Sequence, residues 1–221
     1  DNTMWGYYSP IQGTRYKATI FGNLGFSDAR KSFYSVTWDF RKYMRFLFDN
    51  SLVFRFSGGY SGGNNPQRFM LGGTSNWINR TFATGTIPIE NVTDFAFLSP
   101  AMPLRGYRYG EQLGTKYMLL NIELRMPIIR YLLAGPIIPL FFQNVIGTAF
   151  VDVGTAWTKN EDLGFSFKEP ITDYSKGVLI GTGFGARTYV LFFLLRFDVA
   201  WAYDNTGFSI PRYYFSLGVD F

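Results

Sequence analysis

The sequence predicts an all-β protein, built as an antiparallel transmembrane β-barrel. Of its 221 residues, 20% are aromatic and only 17% are charged, with 24 Phe, 15 Tyr and 24 Gly. Apolar and polar residues alternate along many segments, and such alternation places them on opposite faces of a strand. No stretch approaches the roughly 18 apolar residues that a membrane helix needs. Even the apolar run over 131–142 is interrupted by Gly135, Pro136 and Pro139.

Alternation is clearest in the segment that begins at Tyr34. Its apolar set is Tyr34, Val36, Trp38 and Phe40, and its polar set is Ser35, Thr37, Asp39 and Arg41. Four further apolar sets are Leu52, Phe54 and Phe56; Met118, Leu120, Ile122, Leu124 and Met126; Leu195, Phe197, Val199, Trp201 and Tyr203; and Tyr213, Phe215, Leu217, Val219 and Phe221. A soluble sandwich also alternates, but it seldom carries a continuous Phe/Leu/Trp face on nearly every strand. We therefore expect these sets, with Trp38, Phe54, Phe197 and Trp201 among them, to face lipid.

The segments amount to about eight strands, an even number as expected for a bacterial barrel. They lie near 13–23, 33–47, 51–62, 117–128, 143–157, 177–188, 190–203 and 213–221. Short joints at 48–50 and 188–189 alternate with long connections at 63–116 and 158–176. Because short turns face the periplasm in such barrels, both termini are expected there, with the 63–116 loop outside. The connection over 131–142 is longer and apolar, which suggests an interfacial segment.

Composition argues against several functions. The chain has no His, so neither Ser-His nor Asp-His catalysis is available, and we expect no enzyme activity. It also has no Cys, which with the absent His makes a zinc site implausible, and the acidic residues of the 158–176 loop lack calcium-loop spacing. The net charge of +5 is not concentrated in a Lys/Arg run that would track phosphates. We expect no metal, no cofactor and no nucleic acid.

Motifs in the long loop and after it resemble those of one family. Residues 69–73 (Phe-Met-Leu-Gly-Gly) precede 104–107 (Leu-Arg-Gly-Tyr), and 121–127 (Asn-Ile-Glu-Leu-Arg-Met-Pro) and 150–154 (Phe-Val-Asp-Val-Gly) follow. Residues 5–15 resemble the entry into the ninth strand of that family, and 183–187 with 196–198 resemble its last hairpin. Taken in this order, the motifs resemble the BamA/TamA superfamily of outer-membrane assembly and secretion proteins, also called bacterial surface antigens. The resemblance covers essentially the whole chain.

In that family an Arg-Gly-aromatic tip lies on an outer loop that folds back into the barrel. The resemblance therefore implies a single domain over 1–221 with an inward-folding loop at 63–116. It also implies a latch, in which Arg105 of the tip Leu104, Arg105, Gly106 and Tyr107 pairs with Glu123 or Asp152 on the inward faces of their strands. The alternative is a solvated Arg105, with the carboxylates paired to Arg125 or Arg196 across strands.

The chain departs from the family in length. Relatives with these motifs have 16 strands and periplasmic POTRA modules, and this chain matches the last eight strands, while an eight-stranded interior is filled by side chains alone. Two chains closing one 16-stranded barrel as a homodimer would provide room for the loop and remove unpaired edges. A fragment of a longer chain and a closed monomer with an outward loop are the alternatives.

The resemblance implies a role in insertion, export or transport across the outer membrane. A passive pore and a structural or adhesive surface barrel are the alternatives. Expected partners are outer-membrane lipid and lipopolysaccharide, a second copy, and a periplasmic partner or client protein. The C-terminal set Tyr213, Phe215, Leu217, Val219 and Phe221 is expected to be the signal for outer-membrane insertion.

Overall fold

The computed structural model describes residues 1–5, 9–23, 32–47, 49–83, 98–128, 145–159, 163, 171, 173–190 and 193–218. The predicted interfacial segment at 131–142 lies outside the described residues, as do Val219 and Phe221 of the predicted insertion signal. No helix in the described part of the chain is long and apolar enough to span a membrane.

A single antiparallel sheet forms most of the structure. Its nine strands, in spatial order, are β1 (Asn2–Trp5), β2 (Pro10–Asn23), β3 (Phe33–Phe46), β4 (Asn50–Gly63), β8 (Lys116–Pro127), β9 (Ile146–Trp157), β10 (Leu179–Val190), β11 (Phe193–Tyr203) and β12 (Arg212–Leu217). Each strand pairs with the one before it in the sheet, and β4 pairs with β8 across the long loop. In the described residues no pairing joins β1 to β12, so the sheet is open.

Two details of the strand prediction are corrected. Among the described residues the sheet has nine strands rather than eight, because β1 is only four residues long and too short for alternation to reveal it. Residues 5–15 lead into β2, which begins at Pro10, and the short strand β1 ends at Trp5 before it. The joint expected at 188–189 lies later, because β10 continues to Val190, which pairs with Phe193. That region contains no Gly, Pro, Asn or Asp to mark a turn in the sequence.

The two faces of the sheet differ as the alternation predicts. On one face, large apolar side chains such as Phe56, Phe197 and Phe215 are 40–44% exposed. On the other face, Glu123 and Asp152 are at most 1% exposed. An apolar face that remains exposed in the chain needs an apolar environment, which a lipid bilayer provides.

Part of the 63–116 loop forms a second, three-stranded sheet against the polar face of the first. It consists of β5 (Arg68–Leu71), β6 (Leu98–Ala101) and β7 (Gln112–Gly114), with β5 in the middle. A buried cluster lies between the two sheets: Phe69, Leu71, Ala101, Leu104 and Tyr107 from the loop, with Tyr117, Leu119, Ala156, Leu179 and Ala202 from the wall. Burial of these apolar side chains holds the loop on this face.

Candidate functional site

The tip of the long loop is buried against the polar face. Leu104, Arg105 and Tyr107 are each at most 1% exposed. Leu104 also exchanges backbone hydrogen bonds with Gly73, each 2.9 Å, which ties the tip to the start of the loop. The structure thus places the four predicted tip residues, 104–107, beside strands β8 to β12.

Arg105 forms a forked ion pair with Asp152 of β9. Its Nε donates to Asp152 Oδ2 at 2.7 Å and its Nη2 donates to Oδ1 at 2.9 Å. The backbone N–H of Arg105 also donates to Oδ2, at 3.0 Å. Two parallel bonds between a guanidinium and a carboxylate fix both orientation and charge. The side chain of Asn121 donates to Asp152 Oδ1 at 2.8 Å and completes its shell.

Glu123 of β8 holds three guanidinium groups together. Its Oε2 accepts from Arg105 Nη1 at 3.1 Å and from Arg187 Nη2 at 2.7 Å, and its Oε1 accepts from Arg125 Nε at 2.7 Å. Glu123 thus pairs with Arg105, as in the predicted latch, and also with Arg125, but Arg105 is not solvated as the alternative required, because it is 1% exposed. Asp198 Oδ2 lies 3.8 Å from Arg105 Nη1. Ionic groups that are buried this deeply must be paired with opposite charges, because an unpaired buried charge costs several kcal/mol.

An aromatic ring and two glycines shape the space that Arg105 occupies. The Cζ atom of Arg105 lies 3.3 Å from the centroid of the Phe150 ring, a cation–π contact. Gly106 has φ +98°, and a Cβ there would lie within 3 Å of the backbone of Trp201 and Ala202. A Cβ on Gly181 of β10 would overlap the Arg105 carbonyl. The tip therefore approaches the wall backbone to backbone, as only glycine allows.

Tyr107 bonds to the backbone of β10. Its hydroxyl donates to Ile180 O at 2.9 Å and accepts from Ile180 N–H at 3.1 Å. Burial raises the pKa of the Tyr107 hydroxyl well above its ordinary value, so this group stays neutral. It serves as donor and acceptor for Ile180, and the Tyr203 carbonyl lies 3.5 Å from the same hydroxyl.

Sequence reasoning missed two residues of β12 that hold the tip. The Tyr214 hydroxyl accepts from Gly106 N–H at 2.8 Å and donates to Tyr107 O at 2.7 Å. Arg212 Nε donates to Gly106 O at 3.0 Å. A signal for Tyr214 exists in the sequence, because it is an aromatic residue on the polar face of a strand whose other aromatics face outward. The last strand is thus joined directly to the loop tip.

Replacing Tyr214 by phenylalanine is expected to destabilise the tip without removing the ring. The change leaves the Gly106 N–H and the Tyr107 carbonyl in a buried position without their partner. Each buried group left without a partner costs about 1–3 kcal/mol. Thermal unfolding in detergent checks this, with Tyr213→Phe on the exposed face as the matched control. Equal melting temperatures for the two variants would contradict the assignment.

A second charged cluster holds the loop from the other side. Arg55 of β4 donates from Nε and Nη2 to Asp39 Oδ2 of β3, at 2.9 and 2.6 Å. Its Nη1 donates to the carbonyl of Met102, two residues before the start of the tip. Arg41 pairs with the same carboxylate at 2.6 Å. Residues 102–107 are therefore held by charged groups on both β3–β4 and β8–β11.

The predicted lipid-facing residues lie on the opposite face. Phe197 is 44% exposed and its ring stacks on that of Tyr213, with centroids 6.2 Å apart. Trp201 lies beside Phe184 at 5.5 Å, and Trp38 covers Gly58 of the next strand. Phe54 is on the same face and partly exposed. Of the predicted insertion signal, Tyr213, Phe215 and Leu217 share this face in β12.

The polar face offers no group of His, Cys, Asp and Glu suited to a metal ion among the described residues. Its carboxylates are instead engaged by arginines. The site is thus a set of fixed charges that binds a segment of the same chain.

An antiparallel sheet with an exposed apolar face and a loop on its polar face is the arrangement expected for the wall of an outer-membrane β-barrel. The Omp85 superfamily domain matches residues 4–221, so the chain belongs to the Omp85 superfamily. In all, 45 chains of solved structures match. One is the crystal structure of BamA from Haemophilus ducreyi lacking POTRA domains 1-3, with 20% identity and a TM-score of 0.58. The match covers 99% of this chain and 41% of that one. No curated protein matches the chain significantly.

Family membership confirms the resemblance read from the motifs. It places the chain in a superfamily of outer-membrane β-barrels. At 20% identity, the similarity to the solved BamA structure bears on the fold alone.

Proposed function

We propose that this chain forms an outer-membrane barrel that acts in insertion, export or transport of proteins or lipids. The observation that carries this proposal is the buried Arg105, which holds the outer loop on the polar face through Asp152 and Glu123. A loop packed against the wall with a buried apolar cluster occupies space that a passive pore would leave to water. The proposed function involves neither enzyme activity nor a cofactor.

Depletion of the protein followed by an outer-membrane proteome tests this role. We expect the levels of other barrel proteins, or of exported material, to fall when the protein is removed. Restoration by the wild type and by an Arg108→Ala control, but not by Arg105→Ala, would link the role to the loop tip. An unchanged proteome together with steady ion conductance in planar bilayers would favour a passive pore. An unchanged proteome without conductance would favour a structural or adhesive surface barrel.

The placement in the membrane is part of the proposal. Both termini are proposed to lie in the periplasm, and the 63–116 loop enters from the outer side. Outer-membrane lipid and lipopolysaccharide would contact the apolar face. A periplasmic partner or client protein would bind the barrel at its periplasmic end. Protease protection of tags at either terminus in intact cells tests the orientation.

The sheet must close in lipid, where each unpaired backbone group costs several kcal/mol, and a closed barrel of eight strands has no room for the 63–116 loop, so closure around the loop needs further strands. We propose that a second copy provides them, giving a homodimer whose barrel has 16 strands, namely β2, β3, β4 and β8 to β12 of each copy, with the four-residue β1 outside this count. Successive long strands alternate in direction, so β2 and β12 run oppositely and could pair antiparallel at both junctions. A native mass measurement in mild detergent would show two copies, whereas a single copy would contradict this stoichiometry.

The C-terminal aromatic pattern leads to a prediction about assembly. Deletion of Phe221 is expected to slow insertion and lower the yield in the outer membrane, because the last residue of the apolar set Tyr213, Phe215, Leu217, Val219 and Phe221 is lost. Pulse-labelling with heat-modifiability of the folded barrel measures this rate. Deletion of Asp1 is the matched terminal control. An assembly rate equal to that of the wild type would remove Phe221 from the signal.

A further inference from the structure

A short part of the long loop runs along β12 on the edge that β11 does not use. Trp77 lies opposite Ser216 in an antiparallel bridge. Ile78 N–H donates to Phe215 O at 2.8 Å, and Leu217 N–H donates to Asn76 O at 3.4 Å. These two bonds flank the Trp77–Ser216 pair as ladder bonds flank a pair in a sheet.

The amide of Asn79 extends this ladder by one step. Its Nδ2 donates to Tyr213 O at 3.1 Å, and its Oδ1 accepts from Phe215 N–H at 3.0 Å. A side-chain amide has the same donor and acceptor groups as a peptide unit and so can replace a strand residue. The indole N–H of Trp77 donates to the same Oδ1 at 2.6 Å and fixes the orientation of the amide.

Side chains anchor the segment in the manner of a strand. Trp77 is 3% exposed and its ring lies 4.5 Å from that of Tyr214 on the polar face. Ile78 is 53% exposed and alternates to the other side. Gly218 has φ +137°, and a Cβ there would overlap the side-chain nitrogen of Asn76. Residues 76–79 therefore bind this edge through backbone hydrogen bonds, through the Asn79 amide and through the contact of the Trp77 and Tyr214 rings.

We propose that residues 76–79 form an edge cap, which occupies the pairing edge of β12 until β2 of a second copy displaces it. An uncovered strand edge is a template for another strand, and the cap satisfies its groups from Tyr213 to Leu217. The β1–β2 register ends at Thr14, and residues 15–22 of β2 have a ladder partner only in β3 among the described residues. The proposal rests on the two-copy barrel proposed above.

The cap is also connected to the loop tip. Tyr214 contacts Trp77 on one side and hydrogen-bonds to Gly106 and Tyr107 on the other. Release of the cap therefore need not release the tip, because Arg105 retains its own ion pairs with Asp152 and Glu123. The cap controls whether the edge of β12 is open to pairing, and the loop tip stays bound to the polar face in either case.

A disulfide that holds the cap on β12 tests the proposal, because a single variant can be compared in its oxidised and reduced states. Trp77 and Ser216 form a pair that is not itself hydrogen-bonded, for which a Cα separation of about 4.5 Å suits a disulfide. The chain has no other cysteine. We expect the Trp77→Cys/Ser216→Cys variant to have the native mass of one copy when oxidised and of two copies when reduced.

Each other outcome has a definite meaning. Two copies in both redox states would overturn the cap and leave the two-copy barrel standing. One copy in both states would overturn the two-copy barrel and with it the cap. Failure of the cysteines to form a bond within the chain would contradict the pairing of the loop with β12.

A second variant pair tests the cap without cysteine. Asn79→Leu keeps the approximate volume but removes both amide bonds to β12, and Asn65→Leu in an exposed part of the same loop is the control. We expect Asn79→Leu to raise the association constant of two copies by about tenfold, corresponding to about 1.4 kcal/mol. The control should leave it unchanged. Equal association constants for both variants would overturn the cap.

Discussion

Replacement of Arg105 by alanine is expected to lower the free energy of unfolding by about 3–5 kcal/mol, the cost of removing one partner from a buried ion pair. Asp152 would lose the two side-chain bonds of the fork and keep Asn121 Nδ2 and the backbone N–H of residue 105. Glu123 would keep Arg125 and Arg187. The destabilisation therefore arises mainly at Asp152, and thermal unfolding in detergent measures it.

Two further variants test whether the loss of the fork causes this destabilisation. Arg105→Lys keeps the charge but not the planar fork, so we expect it to restore only part of the lost stability. Arg108→Ala removes an exposed arginine three residues along the same loop and should change the melting temperature little. Equal melting temperatures for Arg105→Ala and Arg108→Ala would show that the buried fork does not stabilise the loop.

Replacement of Phe197 by arginine is expected to destabilise the folded barrel in lipid by about 2–4 kcal/mol. The ring is 44% exposed and lies on the apolar face beside Tyr213. A charge at mid-membrane on this face must leave water without gaining a partner. Equilibrium unfolding in lipid vesicles gives the change directly.

The control for this variant is Ile210→Arg. Ile210 is 79% exposed but lies in the connection between β11 and β12, outside the strands. We expect a small effect there, because the charge stays in water. A cost at Phe197 no larger than that at Ile210 would mean that the exposed apolar face does not meet lipid.

Strands were predictable where alternation is long. β3, β8 and β11 each have ten or more residues with one apolar and one polar set, and period two alone identifies such strands. β1 has four residues and is recognisable only by its pairing with β2. The small sheet of the loop was not predicted, because β5, β6 and β7 are three or four residues long.

The site was predictable only in part, for a related reason. Arg105, Glu123 and Asp152 were named because of the motif resemblance and the inward position of the carboxylates. The contacts of Tyr214 and Arg212 involve β12, and the edge cap consists of residues 76–79. Both segments are distant from the tip in sequence. Their contacts depend on how the loop crosses the sheet, and strand alternation carries no information about that path.

The tip of the long loop is fixed on the polar face of the sheet by the ion pairs of Arg105. Hydrogen–deuterium exchange over residues 102–109 of the unmodified protein in lipid tests it most directly. The N–H groups of Leu104, Arg105 and Gly106 are all hydrogen-bonded in buried positions, so their exchange is expected to be slow. Arg105→Ala should accelerate it. Exchange at the rate of an unprotected peptide in the unmodified protein would contradict the account.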